Sequence, residues 1–238
     1  MVEKNNALKL LWTICVCSSI ALSSFAKEGK DTKSETEPDV TNTEAETLQK
    51  AQKIADNNPG KAADFLIDNM PPESSAALNF SVGAYSLQEE NLERAVEAFQ
   101  TAVDKMPKFH RARFYLAQTL VTRNQYERAA EHLRYLIRNS SQNIARNWNT
   151  LGYCSLSQGD FVNAETAFRH SRLQKTQKND RAAIGLIQAL AGQDRLSDAR
   201  SLIKKQLAVN YDNRRLWSIL ATANMRNDNR FKALVTLE

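Results

Sequence analysis

Four arginines stand at matching places along this chain: Arg111, Arg146, Arg181 and Arg215, separated by 35, 35 and 34 residues. A guanidinium is always charged and its planar fork meets a carboxylate through two parallel hydrogen bonds. Four of them brought into line would make a receptor for carboxylates. The ligand that fits is an extended peptide bearing acidic side chains or a terminal carboxylate. A second account stays open, in which each arginine pairs with a neighbouring acid of the chain or stands in solvent. The other reactive side chains do not converge. His110, His132 and His170 are scattered, with no cysteine or paired carboxylate at ligand spacing, which argues against zinc and assigns them to surface helix positions. There is no G-x-S-x-G, no H-E-x-x-H and no phosphate-cradling glycine loop. Asp160, Asp194 and Asp228 recur at polar turns, where carboxylates cap helices. The sequence thus implies no enzyme, no metal and no cofactor.

What places the arginines is a repeat. Alanines in matching surroundings fall at Ala62, Ala95, Ala129, Ala164, Ala199 and Ala233, spaced 33, 34, 35, 35 and 34. Four residues beyond each stands Leu66, Phe99, Leu133, Phe168, Ile203 or Leu237, and thirteen before the last five stands Val82, Leu116, Leu151, Leu186 or Leu220. The arginines lie eighteen residues before their alanines, with Ala77 in that place one unit earlier. A period near 34 built from two helical patterns signals a solenoid, in which each unit buries its apolar face only against its neighbours. Only 7 Gly and 5 Pro in 238 residues suit an almost wholly helical chain.

On these residues the chain resembles the tetratricopeptide repeat (TPR) family over roughly residues 44–238, most clearly at 148–168. Departures are Ile187, where the other units carry a small residue (Gly83, Ala117, Gly152, Ala221), and Ser141, Thr176 and Tyr211, where a proline such as Pro107 commonly closes the unit. The resemblance implies an all-α, right-handed superhelical solenoid of antiparallel helix pairs. It also implies that positions eighteen, fifteen, eleven and eight before the alanine face a concave, peptide-binding groove. Here those are Arg111, Phe114, Gln118 and Val121; Arg146, Asn149, Tyr153 and Leu156; Arg181, Ile184, Gln188 and Ala191; Arg215, Ser218, Thr222 and Met225. The subclass that clamps a peptide carboxylate for chaperones is not matched, since Ser81, Tyr115 and Thr150 replace its asparagines.

Residues 1–26 have the pattern of a secretory signal peptide: Lys4 and Lys9, an apolar run over 10–22, then Ser24-Phe25-Ala26, with cleavage expected after Ala26. The 13-residue run is shorter than the about 20 that span a bilayer. Periplasmic or secreted localisation follows, with membrane association only through partners or an uncleaved signal. Cys15 and Cys17 leave with the signal. Cys154 then has no partner for an internal disulfide and reads as a core residue. A flexible acidic leader follows at 27–43, and its composition runs on to Glu46 with seven acids, three lysines and little that is apolar. The chain carries +5, the signal +1 and the leader stretch −4, which leaves +8 on the body, so leader and body attract one another at low salt. The units read as a degenerate first one at 44–75, then 76–109, 110–144, 145–179 and 180–213, and an incomplete one at 214–238. Their internal turns fall at Glu90-Asn91, Asn124-Gln125, Gly159-Asp160 and Gln193-Asp194. The stop at Leu237-Glu238, partway along a helix, reads as a longer array cut short or as an end that docks on something.

These features point to a non-catalytic scaffold of the bacterial cell envelope that binds a protein or an acidic peptide in its groove. Two other readings remain: a helical-repeat nucleic-acid binder, and the regulatory part of a longer envelope enzyme. The export signal and the modest charge argue against nucleic acid.

Overall fold

A computed structural model of the chain describes residues 35–174, 180–208, 214 and 216–219. The signal, the leader up to residue 34, Arg215, Thr222, Met225, Asp228 and Ala233 lie outside the described residues. Ten helices are described from end to end, α1 (Asn42–Ala55), α2 (Pro59–Asp68), α3 (Ala76–Gln88), α4 (Leu92–Lys105), α5 (His110–Thr122), α6 (Tyr126–Asn139), α7 (Ile144–Ser157), α8 (Phe161–Leu173), α9 (Asp180–Gly192) and α10 (Leu196–Leu207), and the described residues 214 and 216–219 are helical as well. The chain divides into two compact units, residues 1–132 and 133–238, with the break inside α6.

In the first unit, α4 is the clearest amphipathic helix. Ala95, Val96, Ala98, Phe99, Ala102 and Val103 are buried at three- and four-residue steps, and the Asn91 side chain caps the start by accepting from Arg94 N at 3.1 Å. Its partner α3 is buried on every side from Ala76 to Leu87. Polar groups inside such a helix need local partners. Ser81 Oγ donates to the Ala77 carbonyl at 2.9 Å, Asn79 Nδ2 to the Ser75 carbonyl at 3.2 Å, and Ser86 Oγ accepts from Arg94 Nε at 2.9 Å. Leu48, Ala51, Ala62, Leu66, Leu78 and Val82 form one core shared by α1, α2 and α3. Glu44, only 5% exposed, ties this corner together. It completes a capping box with Thr41, and its Oε1 accepts from Ser75 N at 2.6 Å at the entry to α3.

In the second unit the core gathers Ala164, Phe168, Leu186, Ile187, Ala199 and Ile203 from α8, α9 and α10. Phe168 sits between α7 and α9: a Cβ on Gly152 would meet its ring at 2.8 Å, and one on Gly185 would also collide with it. Glu165, on α8, accepts from Arg169 at 2.7 Å, Arg195 at 2.7 Å and Gln193 at 2.8 Å, joining α8 to the turn before α10. Cys154 is fully buried.

One turn recurs in both units. Glu90, Asn124, Gly159 and Asp194, each five residues before its alanine, have positive φ of 63°, 60°, 77° and 60°. At every one the following amide bonds back across the helix end: Asn91 N to Ser86 O (2.8 Å), Gln125 N to Leu120 O (2.9 Å), Asp160 N to Ser155 O (2.9 Å) and Arg195 N to Leu190 O (3.0 Å). With the bonds of three-residue span from Glu90 N to Leu87 O and its counterparts, this is the Schellman ending of a helix. It corrects one expectation. Asp160 does cap α8, accepting from Asn163 N at 3.1 Å, but Asp194 is the left-handed residue that ends α9, and Arg195 stands at the cap position without a side-chain bond. A short polar side chain suits either job, so residue type alone did not separate them.

Candidate functional site

Arg111 lies in the first turn of α5, above an aromatic cluster. Phe80, Phe99 and Phe109 are buried, and the Phe80 ring centroid is 5.6 Å from Phe99, 5.2 Å from Phe109 and 5.6 Å from Tyr115. The guanidinium carbon of Arg111 stands 4.9 Å from the Phe80 centroid and 5.7 Å from that of Phe109. Ring faces attract the cation and hold its fork in one plane. Arg111 Nη2 then donates to Glu37 Oε2 at 2.8 Å. The acid comes from the leader, 74 residues earlier in the sequence. Next to it, Lys108 Nζ donates to Glu35 Oε2 at 2.8 Å, in a pair exposed on both sides.

The two carboxylates differ electrostatically. Lys108 holds the exposed Glu35 carboxyl below its ordinary range, first by its hydrogen bond and then by its charge. Burial pushes the Glu37 carboxyl up, and the charge and hydrogen bond of Arg111 bring it only part of the way back. The leader beyond them, with Pro38 and Asp39, lines an open cleft whose other wall includes Ser74, Ser75 and Lys105. Lys105 Nζ fixes that wall by donating to Ser74 O at 2.8 Å and Ser74 Oγ at 2.7 Å.

Further along α5, Phe114 and Gln118 are half-buried, with Phe114 edge-on to Tyr115 at 5.9 Å. In the second unit Arg146 and Arg181 are exposed near the starts of α7 and α9, and Asn149, Tyr153 and Gln188 are half-buried. Tyr153 packs edge-on to Phe168 at 5.1 Å, and its hydroxyl donates to the Arg181 carbonyl at 3.2 Å, so the backbone carrying one arginine is tied to the preceding helix pair. Ile184 is only 8% exposed and belongs to the core of this unit rather than to an open wall. Arg215 lies outside the described residues.

The histidines do not share one environment. His170 is exposed and stacks on Trp148 with centroids 4.5 Å apart, as a surface position allows. His132 is half-buried beside Arg113, whose Nη1 lies 3.3 Å from His132 Nδ1. Among the described residues no three His, Cys, Asp or Glu side chains gather as a metal would need, and no helix is long and apolar enough to cross a membrane.

Sequence reasoning left Glu37 and Lys108 without roles. The signal that could have found them is the opposition of charge between leader and body, which says that they attract but not where they meet.

Two family models, both described as tetratricopeptide repeat, match residues 85–144 and 117–178 in one case and 155–223 in the other. No curated protein matches the chain. Among solved structures, a tetratricopeptide repeat protein from Parabacteroides merdae ATCC 43184 superposes with a TM-score of 0.69 at 15% identity, over 80% of this chain and 76% of its own. MamA from Desulfovibrio magneticus RS-1 gives 0.62 at 16% identity, over 68% and 90%. YrrB, described as a TPR protein with an unusual peptide-binding site, gives 0.57 at 17% identity, over 68% and 82%. At such identities the likeness is one of fold.

Proposed function

The chain belongs to the tetratricopeptide repeat family, whose stacked helix pairs serve as protein-interaction scaffolds, and on that premise we propose that it is a non-catalytic adaptor of the bacterial cell envelope. It takes an acidic segment of a partner protein on the helix face that carries Arg111, and within the second unit Arg146 and Arg181 are exposed at the matching places of their repeats. The observation that carries this reading is Arg111 holding a carboxylate at 2.8 Å while its guanidinium rests on Phe80. An arginine at the repeat's recurring position is thus built as a carboxylate receptor, and Arg146 and Arg181 present the same group in the later units. A positive face meeting a negative peptide also speeds encounter and rejects basic segments. The peptide-binding site named for YrrB is a further support for a peptide ligand. Export rests on the signal pattern of residues 1–26.

The test is a pull-down from envelope extract with residues 27–238, beside a variant with Arg111, Arg146, Arg181 and Arg215 all changed to Ala, circular dichroism checking that both stay helical. A partner that the native protein retains and the variant loses supports the reading. Equal retention by both removes the arginines from binding.

A further inference from the structure

Resting on that reading, the leader has a role of its own. We propose that it is a tethered competitor: Glu35 and Glu37 occupy the carboxylate receptor formed by Lys108 and Arg111, and an acidic peptide from outside enters only by displacing them.

Three features of the contact carry this. The receptor belongs to the folded helices, because Arg111 is set by Phe80 and Phe109, both buried and both packed in the aromatic cluster of the helices. Its occupant comes from a stretch too polar to hold itself in place, in which Glu35 and Glu37 are the acids that meet Lys108 and Arg111. Both bonds are also of a kind that exchanges readily. The Lys108–Glu35 pair is exposed on both partners and so contributes little. Arg111 and Glu37 keep 27% and 41% of their side-chain surface in water, and the buried part of Glu37 disfavours its charge more than Arg111 favours it. A carboxylate held this loosely can be displaced by one on a ligand that meets both Lys108 and Arg111. Tethering still makes the leader effective, since a short linker keeps it at an effective concentration of order mM.

The arrangement sets the ligand class: a linear peptide with two carboxylates two residues apart, as in Glu35-Thr36-Glu37. The α5 N-terminus adds its own preference for negative charge at this point.

The experiment uses the full chain and a fluorescent synthetic peptide with the sequence of residues 31–41, followed by anisotropy at low salt. Native protein is compared with E35Q/E37Q and with E35Q/E37Q carrying K108A and R111A in addition, all checked by circular dichroism. A site closed nine-tenths of the time weakens apparent affinity about tenfold, so E35Q/E37Q should bind the peptide about tenfold more tightly than native protein. Adding K108A and R111A should abolish that binding, and raising the salt should weaken it. Equal affinity for native protein and E35Q/E37Q overturns the proposal, as does an absence of binding to E35Q/E37Q. The probe is the chain's own segment, so this outcome is independent of any partner. Partner capture in equal yield by native protein and E35Q/E37Q would leave the scaffold standing and remove the competitor. A tenfold gain in peptide binding without any captured partner would do the reverse.

Discussion

The ring of Phe168 lies so close to Gly152 that a Cβ on the glycine would stand 2.8 Å from its Cε1 and Cζ. Gly83 meets Phe99 in the same way at 2.7 Å, one helix pair inside the first unit. Glycine within a helix costs about 1 kcal/mol relative to alanine, so its place here is set by the ring and not by the backbone. Phe168 is also confined by Gly185 on the other side and cannot turn away. Gly152→Ala should therefore lose about 1–3 kcal/mol to overpacking despite its better helix propensity. Urea unfolding followed by circular dichroism measures this, and an unchanged or raised midpoint would show that the ring can shift.

Glu90 occupies the left-handed turn position where Gly159 stands two units later. A non-glycine residue there is strained by roughly 1 kcal/mol. Glu90→Gly should raise stability by about 0.5–1 kcal/mol in the same unfolding assay, while Gly159→Ala, which has open space around it, should lower it by a similar amount through φ alone. Opposite signs at two matching positions are the expected result.

His132 should make the first unit sensitive to mild acid. Burial, followed by the charge of Arg113, lowers its pKa to about 4. The sign follows from the comparison with an unfolded value near 6.5: protonation favours the unfolded chain. Stability is therefore fully present above about pH 6.5 and declines as pH falls towards 4. H132Q should flatten that part of the curve in thermal melts run between those limits. An unchanged slope would assign the acid loss to other groups.

Glu44 acts on the more acidic side. Burial raises its carboxyl, but hydrogen bonds from Ser75 and Thr41 outweigh this and hold it below the ordinary range. Its contribution is present above the unfolded value of about 4.3 and is lost as pH falls through the lower folded value. Glu44→Ala strands the Ser75 amide and should cost about 1–3 kcal/mol. Hydrogen exchange should then show faster exchange in α1 and at the entry to α3, with α9 unaffected.

Cys154 should react with a thiol reagent only when the second unit opens, because the side chain is fully buried. Rapid labelling of the native protein at neutral pH would contradict the packing of α7.

The helix pairs were legible because the residues that pack them recur every 33 to 35 positions. Even the departure at Ile187 has a reason that the pattern carries. The position twelve before each alanine faces the one four after it, and glycine appears where that partner is Phe99 or Phe168. Where the partner shrinks to Ile203, the space is taken by Ile187, and both side chains are buried in one core. The left-handed turns were harder to read, since Glu90, Asn124, Gly159 and Asp194 share a backbone geometry but no residue type. At the candidate site the arginines stood out by their period, whereas their carboxylate partner did not. Glu37 belongs to no repeat, and only the folded chain brings it to Arg111.

That separation along the chain also fixes an order of events. Among the described residues the main helix–helix contacts join neighbours in sequence or helices one place removed, so they close short loops and can form early. The pairs from Glu35 and Glu37 span 73 and 74 residues, and they land on a surface that exists only after α3, α4 and α5 have assembled. The leader's pairs therefore close last, on helices that are already built.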